Sequence, residues 1–163
     1  TRLVKNPEPA EEILGAVTAK FRKRYPELKV RVSVPEELLF VPMDAVLISQ
    51  VLSNLMENAV VHGGGHTTEI RVSVRRDGND ALFAVEDNGD GIEQKVLPHL
   101  FDGTLAVSSS DTAGSSKRNM GLGLSVCQAI IHAHGGKIEA HNLMGGAEFT
   151  FRLPLEQEEE QNA

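Results

Sequence analysis

Two asparagines stand four residues apart in Asn54-Leu-Met-Glu-Asn58, an aspartate precedes two glycines in Asp87-Asn-Gly-Asp-Gly91, and two further glycines punctuate Asn119-Met-Gly121-Leu-Gly123-Leu-Ser125. On a helix, positions four apart project from one face, so the two carboxamides can share a ligand. A carboxylate followed by glycines lets the backbone pass close to a flat ligand, where any Cβ would collide. Glycines at the start of an amphipathic helix leave free N–H groups and a positive dipole end that suit a polyphosphate. Each motif alone is a weak signal. In this order the three describe a pocket for ATP with a metal ion.

The elements that must carry these motifs are readable from periodicity. Residues 9–25 form a predicted helix with Ile13, Leu14, Val17 and Phe21 on one stripe and Pro26 beyond its end. Val30, Val32 and Val34 alternate with polar residues, as in a half-buried strand. Asp44 is an N-cap for a second helix reaching Val61, packed through Leu47, Ile48, Val51, Leu52, Leu55, Met56 and Ala59 and stopped by glycines 63–65. Strands near 68–76 and 81–86 are joined at Asp77-Gly78-Asn79-Asp80, a hairpin turn. A short helical stretch is expected near 93–100. Residues 102–118, rich in Ser, Thr, Gly and Ala, carry no periodicity and read as a functional flap or a disordered insert. A last helix over 121–134 ends at Gly135-Gly136, and strands over 137–140 and 148–153 close the fold. The sum is an α+β class: a mixed sheet of about five strands covered on one face by about three helices.

Composition limits the alternatives. The chain of 163 residues is a normal size for one domain, with 40% hydrophobic and 24% charged residues. A net charge of −7 argues against a nucleic-acid surface, and Arg22-Lys23-Arg24 reads as a solvated helix end. The single cysteine, Cys127, forms no internal disulfide and lies among Val126, Ile130 and Ile131 as a core residue. No run approaches the ~18 apolar residues of a membrane span, and the start is no signal peptide, so this piece is expected to make no membrane contact. None of the six histidines has chelate spacing. The segment 156–163, with four glutamates, reads as an acidic disordered tail beside a domain over 1–155.

The order and spacing of the three motifs resemble the ATP-binding domain of sensor histidine kinases, whose superfamily also holds type II topoisomerases, mismatch-repair ATPases and heat-shock chaperones. The resemblance runs from about Asp44 to Leu155. Within the kinases, Gly123-Leu-Ser-Val-Cys-Gln-Ala-Ile-Ile-His-Ala-His-Gly-Gly136 and Gly145-Gly-Ala-Glu-Phe-Thr-Phe-Arg-Leu-Pro154 look like the potassium-responsive KdpD type. This likeness implies a two-layer α/β sandwich, ATP and Mg²⁺ as ligands, and transfer of the γ-phosphoryl group to a histidine on separate dimerisation helices of a parent protein. A response regulator would be the onward partner. None of the histidines here has the setting of a phospho-acceptor. The implied location is a cytoplasmic domain of a parent in the cytoplasmic membrane.

Roles then follow residue by residue. Read alone, Asp87 is a turn aspartate bonding its own backbone in an exposed turn. With the other motifs present it accepts a hydrogen bond from the exocyclic amine of adenine, which guanine lacks at that position, while Gly89 and Gly91 admit the base. Asn58 offers a neutral oxygen to Mg²⁺, a hard ion that takes few protein ligands beside phosphates. Asn54 stands where related ATPases have a general-base glutamate, and an amide cannot accept that proton, which favours transfer over hydrolysis. Glu57 either polarises the incoming nucleophile or is a solvated glutamate. Gly121 and Gly123 cradle phosphate or pack a helix start on the sheet, and Lys117 and Arg118 are placed to clamp the β- and γ-phosphates. His62 takes the family's aromatic position beside Val61, where a basic residue is common. Phe101-Asp-Gly-Thr104 is a reduced phenylalanine box, Asn119 replaces a glycine, and Ala147 removes a hydroxyl that would support Asp87. Those departures put phosphate affinity and flap ordering in doubt. Two other functions stay open: an anti-sigma-type serine kinase, which Asn58-Ala-Val-Val-His-Gly63 resembles, and a nucleotide-sensing module without catalysis.

Overall fold

The computed structural model describes residues 2–61, 65–102 and 115–156, with the backbone alone for 115–122. In chain order the elements are β1 (Asn6–Pro9), α1 (Ala10–Arg24), β2 (Lys29–Ser33), β3 (Phe40–Met43), α2 (Ala45–Val61), β4 (Glu69–Asp77), β5 (Asp80–Asp87), a 3-10 turn at Leu97–His99, α3 (Ser115–Ala133), β6 (Lys137–Leu143) and β7 (Gly146–Pro154). Five strands make one mixed sheet in the order β2-β4-β5-β7-β6, with β2 parallel to β4 and every other pairing antiparallel. The α+β class and the two-layer arrangement expected from the sequence are both present.

Alternation decides which face is covered. In β5 the residues Ala81, Phe83, Val85 and Asp87 are buried and their neighbours are half-exposed, and β7 repeats the pattern with Ala147, Phe149, Phe151 and Leu153. Register places Phe83 opposite Phe151, with rings stacked at 4.6 Å between centroids. Each of these rings contributes roughly 1.5–3 kcal/mol on burial, and a one-residue slip would turn all of them to solvent. The helices lie in one layer over this apolar face, α1 against β2 and β4, α2 against β5, α3 against β6 and β7. The two-residue turn between β4 and β5 is Gly78-Asn79, with Gly78 at φ +66, as the hairpin signal requires.

The structure departs from the sequence expectations in several places. β1 and β3 pair as a separate antiparallel ribbon that periodicity did not suggest, because Pro7 faces Pro42 and Pro9 faces Phe40, and prolines argue against a strand when read locally. The ribbon buries Val41 and Met43 completely. α3 begins at Ser115, so Lys117 and Arg118 occupy its first turn and Gly121 and Gly123 lie within it. The stretch near 93–100 winds only one 3-10 turn. The end of α1 is solvated as expected, with Arg22, Lys23 and Arg24 all exposed, while Arg22 Nη2 also donates to the Val30 carbonyl of β2 at 2.8 Å and Arg24 pairs with Glu57. His62, glycines 63 and 64, the flap over 103–114 with Thr104, and the tail over 157–163 lie outside the described residues.

Candidate functional site

The first asparagine pair sits in the middle of α2 where the helix meets the sheet and α3. Asn58 is 6% exposed, and its Nδ2 donates to the Asn54 carbonyl at 2.9 Å. Of the two terminal atoms of the Asn58 amide only the nitrogen can donate to a carbonyl, so this bond sets the amide's orientation and leaves Oδ1 as an acceptor. That oxygen suits a hard cation. Asn54 lies against α3: its Nδ2 is 3.7 Å from Cys127 Sγ, and a Cβ added to Gly123 would stand 3.7 Å from the same nitrogen. Gly123 and Cys127 are one turn apart, so the Asn54 amide is held between them. Burial pushes the Cys127 thiol up to about 11, and the thiol stays protonated.

Glu57 points to other company. Tyr25 Oη donates to its Oε1 at 2.8 Å and Arg24 Nη1 lies 3.1 Å from Oε2, so α1 holds this carboxylate by its C-terminal residues. Burial and then the bond to Glu57 raise the Tyr25 pKa, since ionising the phenol would set two anions together. Nothing local in Asn54-Leu-Met-Glu-Asn58 signals this pairing across 32 positions.

Asp87 ends β5 on the covered face and is 6% exposed, which corrects the exposed turn expected for it. Its strand alternation carries it inward, in register with Ile70 on one side and Ala147 on the other. Oδ1 accepts the Gly89 N–H at 2.9 Å, so the turn predicted from Asp87-Asn-Gly is formed. Ala147 is fully buried directly across from Asp87, the position from which a hydroxyl would reach it. The backbone around the carboxylate is crowded. Gly146 has φ +152, and a Cβ there would run into the Asp87 carbonyl; Gly91 has φ +85, and a Cβ there would meet Asn142 Oδ1 at 3.0 Å. Only glycine meets both the torsion and the space at these two positions.

The loop after Asp87 is fastened at each end. Asn88 Oδ1 accepts the N–H groups of Thr68 at 2.9 Å and Glu69 at 3.0 Å, and its Nδ2 donates to Thr68 Oγ1 at 2.8 Å. Asn142 on β6 pairs with the backbone of Ile92. Sequence reasoning assigned neither amide a role. Asn88 sits inside the Asp87 motif and was open to notice, whereas Asn142 has no local signal at all.

The residues present fit an adenine nucleotide with a divalent ion. A buried carboxylate stands beside backbone stripped of Cβ atoms, and a neutral amide oxygen is reserved one helix away. Among the described residues no group of three His, Cys, Asp or Glu side chains gathers to hold a metal by itself, so an ion here would take amide and phosphate oxygens. Phe101, the described part of the reduced phenylalanine box, packs edge-on to Phe149 at 6.3 Å.

Residues 43–157 match the family described as histidine kinase-, DNA gyrase B- and HSP90-like ATPase. The sensor protein KdpD of Clostridium acetobutylicum is 40% identical over 158 residues, 96% of this chain and 17% of that protein. The signal transduction histidine-protein kinase AfsQ2 of Streptomyces coelicolor is 42% identical over 113 residues, 69% of this chain and 20% of that protein. The chain thus spans a fifth or less of the length of these relatives. The catalytic domain of the histidine kinase ThkA superposes with a TM-score of 0.77 at 26% identity, covering 95% of this chain and 97% of that one. With residues 43–157 of 163 inside the family match, this chain belongs to the histidine kinase-, DNA gyrase B- and HSP90-like ATPase family, as a catalytic domain of the sensor histidine kinase type.

Proposed function

We propose that this domain binds ATP with Mg²⁺ and transfers the γ-phosphoryl group to a histidine on dimerisation helices of its parent protein. The observation that carries the reading is the buried Asp87 carboxylate beside the glycine-lined backbone of Gly91 and Gly146. Asp87 accepts the exocyclic amine of adenine, and Gly89 and Gly91 let the base lie against the chain. Asn58 Oδ1 holds Mg²⁺, which would neutralise charge on the phosphate oxygens. The N–H groups in the first turn of α3 would take the phosphates, Lys117 and Arg118 are the proposed clamp on the β- and γ-phosphates, and Gly121 and Gly123 the proposed phosphate-side glycines. His62 is a further proposed nucleotide contact.

Asn54 at the position of a general base is an amide locked against α3, which disfavours water activation. Glu57 acts on the incoming imidazole only by exchanging Tyr25 or Arg24, so its effect is modest. A parent in the cytoplasmic membrane, with this domain on the cytoplasmic side, belongs to the same proposal. ThkA has been solved in complex with the response regulator TrrA, at a TM-score of 0.73 to this chain, which supports a response regulator as the onward partner. The domain boundary is proposed at 155, with 156–163 outside it.

The test mixes labelled ATP, Mg²⁺ and this chain with a histidine-bearing helical hairpin. Acid-labile phosphate on the hairpin is the expected result. Acid-stable phosphoserine on an added partner would replace the reading with a serine kinase, and nucleotide binding without transfer would leave a sensing module.

A further inference from the structure

We propose that Asn142 is a positioning residue for base recognition, latching the loop after Asp87 so that the Asp87 carboxylate meets adenine in one orientation; this rests on the nucleotide reading above. Asn142 Oδ1 accepts the Ile92 N–H at 2.7 Å, and its Nδ2 donates to the Ile92 carbonyl at 2.8 Å. A carboxamide offers one acceptor and a donor side by side, so this side chain pairs with a backbone residue as a neighbouring strand would. Both polar groups of Ile92, whose side chain is buried, are satisfied by this one residue.

Position in the sheet gives the latch its purpose. Ile70, Asp87, Ala147 and Asn142 are mutual register partners across four strands, so Asn142 and Asp87 share a row about 10 Å apart at the end of the covered face. The chain leaves this row at Asp87 and returns to it at Ile92, passing over Gly146. Gly91 comes so close that its absent Cβ would stand 3.0 Å from Asn142 Oδ1 and 3.4 Å from the Gly146 carbonyl. At the near end Asn88 is bonded to Thr68 and Glu69. Between these two fastenings lies Gly89, whose N–H sets the Asp87 carboxylate. Freeing the far end gives the loop, and with it the carboxylate, more than one orientation.

The experiment measures ATP and GTP binding by calorimetry on the whole chain, together with backbone amide exchange, for wild type, Asn142→Ala and Met144→Ala. Met144, 99% exposed at the tip of the same hairpin, is the control. For Asn142→Ala the expected result is an ATP Kd raised about tenfold, a smaller ATP-to-GTP preference and faster exchange at Ile92. Met144→Ala should match wild type. Should the alanine variant melt too early to titrate, Asn142→Ser, whose hydroxyl can serve one of the two Ile92 groups, should show an intermediate loss. Unchanged ATP affinity and preference alongside faster Ile92 exchange would overturn the proposal, as would an affinity loss matched by an equal loss of protection across the whole sheet. A wild-type chain that binds no nucleotide would instead remove the parent reading, and the proposal with it.

Discussion

The Asp87 carboxylate is 6% exposed and accepts the Gly89 N–H through Oδ1. Asp87→Asn keeps an oxygen for Gly89 and the same volume, so the fold should survive. Its second terminal atom can become a donor facing the donor amine of adenine. ATP affinity is therefore expected to fall roughly 10- to 100-fold, the range for a hydrogen bond to a charged group, with the thermal transition little changed. Unaltered affinity in calorimetry would remove Asp87 from base recognition. Asn58 is proposed to hold the metal ion and not the base. Removing its oxygen in Asn58→Ala should weaken ATP binding in the presence of Mg²⁺ and leave Mg²⁺-free binding nearly unchanged, and equal weakening in both titrations would argue against ligation.

Between elements, His134 joins the end of α3 to the start of α2. The Asp44 N–H donates to Nε2 at 3.0 Å, which makes Nε2 an acceptor and places the ring proton on Nδ1, 2.8 Å from the Ile130 carbonyl. Asp44 in turn accepts the Leu47 N–H at 3.2 Å as the helix cap and the Val4 N–H at 3.0 Å, so the N-terminal segment is tied to the same point. The ring is buried and neutral. Burial lowers its pKa most, Lys5 adds repulsion, and the bond to Ile130 and the charge of Asp44 act the other way. The folded pKa is depressed, so the contribution is fully present above the unfolded value of about 6.5 and is lost as pH falls from there through the folded value. Urea midpoints should therefore drop on going from pH 7 to pH 5. His134→Gln should start lower at pH 8, having lost a buried contact, and show a flatter profile. Parallel profiles for the two proteins would rule out His134 as a source of the acid sensitivity.

For the molecule as a whole, Cys127 reports on the joint between the helix layer and the sheet. It is fully buried between α2 and α3, its thiol bonds toward the Val51 carbonyl, and its pKa is pushed up to about 11. Thiolate, the reactive form, is scarce in the folded state and inaccessible there. Labelling by a water-soluble disulfide reagent at pH 8 should be far slower in the native chain than in urea. If, as proposed, ATP–Mg²⁺ binds the folded form alone, saturating nucleotide at about 100 times Kd should slow labelling by roughly 100-fold more where labelling requires global opening. Rapid labelling of the native chain, insensitive to nucleotide, would mean that α2 and α3 separate locally.

What the sequence determined by itself is what depends on near neighbours along the chain. Period-two burial in β5 and β7, the Gly78-Asn79 hairpin and the Asp44 cap all follow from residues within a few positions of one another, and all are present. The start of α3 was harder to read, since Ser115, Lys117 and Arg118 fit a loop or a helix equally well by composition. Only the tertiary structure decided the partners reached across distance: Glu57 with Tyr25 and Arg24, the proline-bearing β1–β3 ribbon, His134 with Asp44 at a separation of 90 residues, and Asn142 with Ile92 at 50. A hydrogen bond between residues so far apart exists because the sheet and its helix layer bury the surfaces on either side of it. No local pattern encodes that outcome, because the energy that brings those groups together is the packing of the whole core.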